Sequence, residues 1–147
     1  MNTTELRASE AILGSSIEIK IGGKTYKCNR PTIMTMIEVS RLINLYPSVS
    51  IDKNNAVKQL LTIAKDAEPI GLIVATLITG YEKNSLRGIM LNLRRKILAR
   101  NILNHHTCSE ILEALGELLA RLEIQDFFAI TTSLSIVNLT KTTKEVD

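Results

Sequence analysis

Two short alternating runs joined by a glycine pair constrain this chain more than any other feature. Ile17-Glu18-Ile19-Lys20-Ile21 alternates apolar with polar residues, as a half-buried strand does. Gly22-Gly23 follows, and Lys24-Thr25-Tyr26-Lys27-Cys28 alternates again. Strand, Gly-Gly, strand is the pattern of a β-hairpin, because the central turn positions can require a positive φ. Ile17, Ile19, Ile21, Tyr26 and Cys28 are expected on one buried face. A lone hairpin is marginal in water. It must pack on the rest of the chain or pair with another copy.

Beyond Asn29-Arg30-Pro31 the apolar spacing becomes helical. Thr32 opens a helix expected over 32–45, closed by Pro47 and apolar around most of its circumference. A loop over 47–52 leads to a second helix, capped by Asn54 or Asn55, with Val57, Leu60, Leu61 and Ala64 at helical spacing. Pro69 cannot continue that helix but suits the first turn of the next. Residues 69–79 are apolar all round, as in a helix at the centre of a core, and Gly80 is its stop.

The longest helical stretch is expected over 84–104. Leu86, Met90, Leu93 and Ile97 form one stripe, and Leu91, Leu98 and Ile102 form a second on a nearly opposite side. Two apolar stripes mean two neighbours. Either the helix lies between two layers of its own domain, which is the commoner arrangement, or one stripe waits for a partner. Thr107-Cys108-Ser109-Glu110 is a capping box opening a helix with Ile111, Leu112, Leu115, Leu118, Leu119 and Leu122. A last helix is expected over 125–138, with Phe127, Phe128, Leu134 and Val137.

The fold class expected is mainly α: an N-terminal hairpin over 17–28, then a compact bundle of about six helices over 32–139. Residues 16–139 form a single domain, between a short N-terminal arm over 1–15 and a loose polar tail over 140–147. A chain of 147 residues is one domain's worth. Hydrophobic and charged fractions of 45% and 22% exclude a disordered chain or a fibre.

Aromatic residues are 3% of the chain, with no Trp, so base-stacking platforms and carbohydrate-binding faces are not expected. The net charge of +3 is too small to predict nucleic-acid binding by itself. The bases that do cluster, Arg87, Arg94, Arg95, Lys96 and Arg100, divide around the helix as solvated edges between the two stripes. Two cysteines and no secretory signal point to reduced thiols in a cytoplasm. The longest apolar run, 70–78, is too short to span a bilayer.

Sites for chemistry are sparse. The seven glycines form neither a GxGxxG nor a Walker pattern. His105-His106-x-Cys108 is the one cluster of soft ligands, but adjacent histidines diverge on a helix and a fourth ligand is not nearby. A Cys108–His105 pair lacks a third group. Glu110, Glu113 and Glu117 have the spacing of a solvated face, and Asp66 and Glu68 flank a helix junction. No enzyme, metal or cofactor is expected.

The element order and two stretches carry a resemblance. Ile17 to Lys27 leads into a helix-rich body that ends in Leu122-Glu123-Ile124-Gln125-Asp126-Phe127-Phe128-Ala129-Ile130-Thr131-Thr132-Ser133-Leu134. This resembles the small tail assembly chaperones of long-tailed bacteriophages and prophages. The resemblance implies a binding protein of the host cytoplasm, absent from the finished virion. Such a protein coats the apolar helices of the tape measure protein until the tail tube polymerises around them. Self-association through the hairpin or through the helix over 84–104 would suit it.

Candidate partner-binding residues are then Met34, Met36, Leu91, Leu98, Ile102, Arg87 and Arg94. Met90 is a further candidate, because methionine repacks readily on apolar partners, although core filling is its commoner use. A small structural subunit of a phage tail or other phage assembly, or a helical nucleic-acid-binding regulator, is the alternative reading.

Overall fold

The computed structural model describes residues 17–45, 53–65 and 67–142. The expected arm over 1–15, the whole loop over 47–52, Asp66 and residues 143–147 lie outside them. The chain is mostly helical with an N-terminal two-stranded antiparallel hairpin. Strand β1 (Ile17–Ile21) pairs with β2 (Lys24–Cys28), Ile19 opposite Tyr26 and Ile21 opposite Lys24. Of the two turn residues only Gly22 takes a positive φ, 58°. Ile19, Ile21, Tyr26 and Cys28 are buried as the alternation requires, but Ile17 is exposed at the open end of the ladder.

Helix α1 (Ile33–Asn44) begins at Thr32, whose Oγ1 accepts from the Thr35 amide at 3.3 Å. Asn54 and Asn55 join Lys53 in a single 3-10 turn that runs straight into α2 (Ala56–Lys65). Helix α3 (Glu68–Thr79) has Pro69 in its first turn and ends at Gly80, where φ is 80°. Helix α4 (Leu86–His105) is capped by Ser85, whose Oγ accepts from the Gly88 amide at 2.9 Å. Helix α5 (Cys108–Ala120) carries the complete capping box of Thr107 and Glu110. Helix α6 (Ile124–Thr142) follows, so residues 140–142, expected in the tail, are helical.

Helix α3 is the centre of the packing, as its all-round apolar sequence demands. Ile73, Val74, Ala75, Leu77 and Ile78 are all buried there. It packs on α1, α4, α5 and β2, and β1 packs on α5. Burial of a side chain such as Val74 or Ile102, both fully inaccessible, contributes about 1.5–3 kcal/mol. The chain leaves the hairpin with the Asn29 amide bonded to the Ile78 carbonyl at 3.0 Å, which ties β2 to the end of α3.

One expectation needs correction. Among the described residues, the buried core is drawn from the hairpin, α1, α3, α4 and α5, and no described side chain of α2 or α6 joins it. Along α6, only Phe127 and Thr131 among the described side chains are even half-buried.

Gly71 sets how closely α3 and α4 approach. A Cβ there would lie 2.7 Å from Leu103 Cγ and 2.9 Å from the Ala99 carbonyl oxygen. Gly116, on α5, has open space around it. Gly71→Ala should therefore cost about 1–3 kcal/mol by overpacking, whereas Gly116→Ala should add about 0.5–1 kcal/mol through helix propensity. Urea denaturation of the two variants measures the opposite signs.

Candidate partner-binding surface

The rotation of α4 about its axis decides what this protein shows to a partner. Arg95 decides that rotation. It is 6% exposed, although the basic cluster around it was expected to be solvated. Its Nη1 donates to Glu38 Oε1 at 2.8 Å and to Thr76 Oγ1 at 3.2 Å. Thr76 passes its own proton to the Leu72 carbonyl at 2.6 Å. Arg41 completes the shell, donating from Nε and Nη2 to the two Glu38 oxygens, each at 2.8 Å. The Tyr81 ring lies 5.0 Å from the Arg95 guanidinium carbon, at cation–π distance. Arg95 Nε has no hydrogen-bond partner among the described residues.

The Arg41 hydrogen bonds pull the Glu38 carboxyl below its ordinary range; burial opposes this, and Arg95 reinforces it. A buried charge is tolerable only when paired, so this cluster holds α4 against α1 and α3 in one orientation. Gly88, Ala99 and Ile102 share the buried side with Arg95, facing the body.

The other side of α4 is thereby turned to solvent. Leu86, Ile89, Met90, Leu93 and Ile97 are between 56% and 85% exposed. At 100° per residue they fall within about 100° of one another, a stripe as wide as a core-facing helix normally buries. Exposed bases surround it: Arg87 and Arg94 along one edge, Lys96 along the other, and Arg100 on the stripe's own face about one turn beyond Ile97. Helix α4 contains no acidic residue. Arg87 has a nearby carboxylate, Glu82 Oε2 at 3.8 Å, and Glu68 lines a shallow pocket with Lys96 and Arg100.

The expected binding residues divide between four environments. Met34, Arg87 and Leu91 come together in one groove of about 660 Å³, with Arg30, Thr35 and Tyr81 also lining it. Arg94 stands exposed at the edge of the open stripe, and Met36 is half-buried on α1. Leu98 packs against the core and Ile102 is fully buried, so neither is available to a partner. The stripe that waits is the one opposite. The omitted residues are Leu86, Ile89, Leu93 and Ile97. The clue was the pair of small residues Gly88 and Ala99 on the Arg95 side: Gly88 lies against the Glu82 backbone of the preceding loop, and Ala99 against Gly71 of α3.

The soft-ligand cluster takes another role. His105 is exposed, while the neighbouring His106 side chain is buried. His106 Nε2 shares a hydrogen bond with Tyr26 Oη at 2.9 Å, and its Nδ1 lies 3.4 Å from Glu110 Oε2. Glu110 Oε2 accepts from the Thr107 amide at 2.9 Å, which holds its carboxyl below the ordinary range. This relay fastens the hairpin to the α4–α5 junction. Cys28 is buried and Cys108 exposed, both as free thiols. Among the described residues no three His, Cys, Asp or Glu side chains are placed to hold a metal ion. No described helix is long and apolar enough to cross a membrane.

No family model, curated protein or solved structure matches this chain. The surface must be judged on its own chemistry. It offers an apolar strip about one helix wide between two basic margins. That suits an amphipathic helix whose flanks are acidic.

Glu38 is the member of the buried cluster that titrates. Its lowered carboxyl contributes stability that is complete above the unfolded value, about 4.3. That contribution is lost as pH falls through the lower folded value. Glu38→Gln should cost about 3–5 kcal/mol at pH 7, because Arg95 is left buried without its counter-charge. It should also flatten the acid limb of stability below about pH 5. Arg94→Ala, one residue along, should change stability by less than about 0.5 kcal/mol. Urea unfolding of the three proteins across pH measures both effects.

Proposed function

We propose that this protein is a phage or prophage tail assembly chaperone. It binds apolar helices of the tape measure protein and keeps them in solution until the tail tube forms. One observation carries the reading: five apolar side chains, Leu86, Ile89, Met90, Leu93 and Ile97, stand open in a single stripe along α4, each more than half exposed. Monomers rarely leave so continuous an apolar strip in water without a use for it.

A client helix laid on this stripe would bury its own apolar side chains between Leu86, Met90, Leu93 and Ile97. Met90 adapts its shape to different client residues. Arg87, Arg94, Lys96 and Arg100 would favour acidic margins on the client and set its direction. The groove holding Met34 and Leu91 lies beside the Arg87 edge, and a large client side chain fits there. Binding of this kind needs no catalytic group. It acts in the host cytoplasm, and the chain departs before the virion is complete.

Co-expression with the tape measure protein of the same genome tests the proposal. The tape measure protein should move to the soluble fraction with this chain and stay insoluble without it. Leu93→Glu should abolish the effect with less than about 0.5 kcal/mol change in stability, because Leu93 is already exposed. The interaction should weaken as salt rises from 0.05 to 0.5 M, roughly, as screening removes the basic margins. Equal insolubility with and without this chain would reject the function.

A further inference from the structure

Helix α5 is the electrostatic complement of α4. It carries Glu110, Glu113 and Glu117 and no Lys or Arg, whereas α4 carries its bases and no acid. Glu110 is used within the chain, in the capping box and against His106. Glu117 already accepts from Arg121 at 2.5 Å. Glu113, exposed on the next turn back, is the acid left to a neighbour.

The outward face of α5 is apolar beside these acids. Leu112 is 71% exposed. Gly116 and Ala120 follow it at steps of four residues, both exposed. A Cβ at Gly116 would meet no described atom within 4 Å, so a large side chain from outside can come close to the helix backbone there. At 100° per residue Glu113 and Glu117 run along one edge of this line.

We infer that the α4 stripe of one copy is covered by α5 of a second copy of this chain, with the two helices antiparallel. Charge selects both the occupant and its direction. Two α4 stripes together would set bases against bases, and two α5 faces would set acids against acids; like charges at an interface are costly. Pairing α4 with α5 sets opposite signs together. When two helices face each other antiparallel, their corresponding edges lie side by side, so the Glu113–Glu117 edge falls beside the Arg87–Arg94 edge. A parallel pair would send those acids to the far edge, where only Lys96 stands. With Glu113 against Arg94, the small residues Gly116 and Ala120 come opposite the large ones Met90 and Leu86. The stripe and the α5 face are different patches of one body, so the contact is head-to-tail and builds a ring or a short filament. It goes beyond the client reading and shares with it only the α4 stripe, which a second copy keeps out of water while no client is bound.

Sedimentation of the full chain across concentration, at roughly 0.05 and 0.5 M salt, tests the contact. Wild type should rise above the 16.3 kDa of one chain as concentration increases, and more steeply at low salt. Arg94→Glu and Glu113→Lys should each weaken self-association about tenfold or more. Mixed in equal amounts, the two variants should associate again, because each reversed charge finds its opposite on the other variant; misfolded chains would not recover in this way. Ile130→Asp, on the exposed apolar side of α6, should leave the mass unchanged. A wild type that stays at the mass of one chain would overturn the inference. So would association that survives both charge reversals, a mixture that stays dissociated, or association lost through Ile130→Asp. Client solubilisation is scored separately. A monomeric chain that still solubilises the tape measure protein keeps the proposed function and loses this contact.

Discussion

The pairing of Arg95 with Glu38 is the interaction on which the rest of this structure depends. An arginine six-hundredths exposed cannot be left without a counter-charge, and Glu38 on α1 is the carboxylate in reach. Arg41 and Thr76 complete the shell, so α1, α3 and α4 are locked at one rotation. The hydrophobic effect alone would not have chosen it. Helix α4 is apolar on two sides, and burying either one removes a comparable area from water. The ion pair breaks that tie, putting Leu98 and Ile102 inside and Leu93 and Ile97 outside.

The outcome is a small body with a disproportionate amount of apolar surface. Exposed apolar side chains line α4, where basic residues border them, and α6, where no charge falls between Asp126 and Lys141. The hairpin contributes to neither surface directly. Its turn sits against Glu110 at the start of α5, and Tyr26 and His106 fasten it to the α4–α5 junction. It seals the end of the core.

Much of the fold was legible in the residues. The hairpin followed from strict alternation on both sides of Gly22-Gly23. The helix starts followed from hydroxyl caps at Thr32 and Thr107, since each satisfies free amides with its own side chain. Pro69 and Gly80 bounded α3 for reasons of backbone geometry. These features are local, and local chemistry fixes them. The candidate surface was only half legible. Both α4 stripes could be written down, and Met34, Arg87 and Leu91 do meet in one groove. The choice between stripes failed at Leu98 and Ile102. Arg95 was read as solvated, because nothing near it in sequence announces a counter-ion on α1.

The sequence by itself determined the elements, their order and the two-sided character of α4, because periodicity and capping act within a few residues. Tertiary structure alone decided which side of α4 meets water, and that α6 stands off the core. Those outcomes rest on contacts between residues far apart in the chain. Glu38 and Arg95 are separated by 57 positions, and their attraction exists only once α1 and α4 have been brought together.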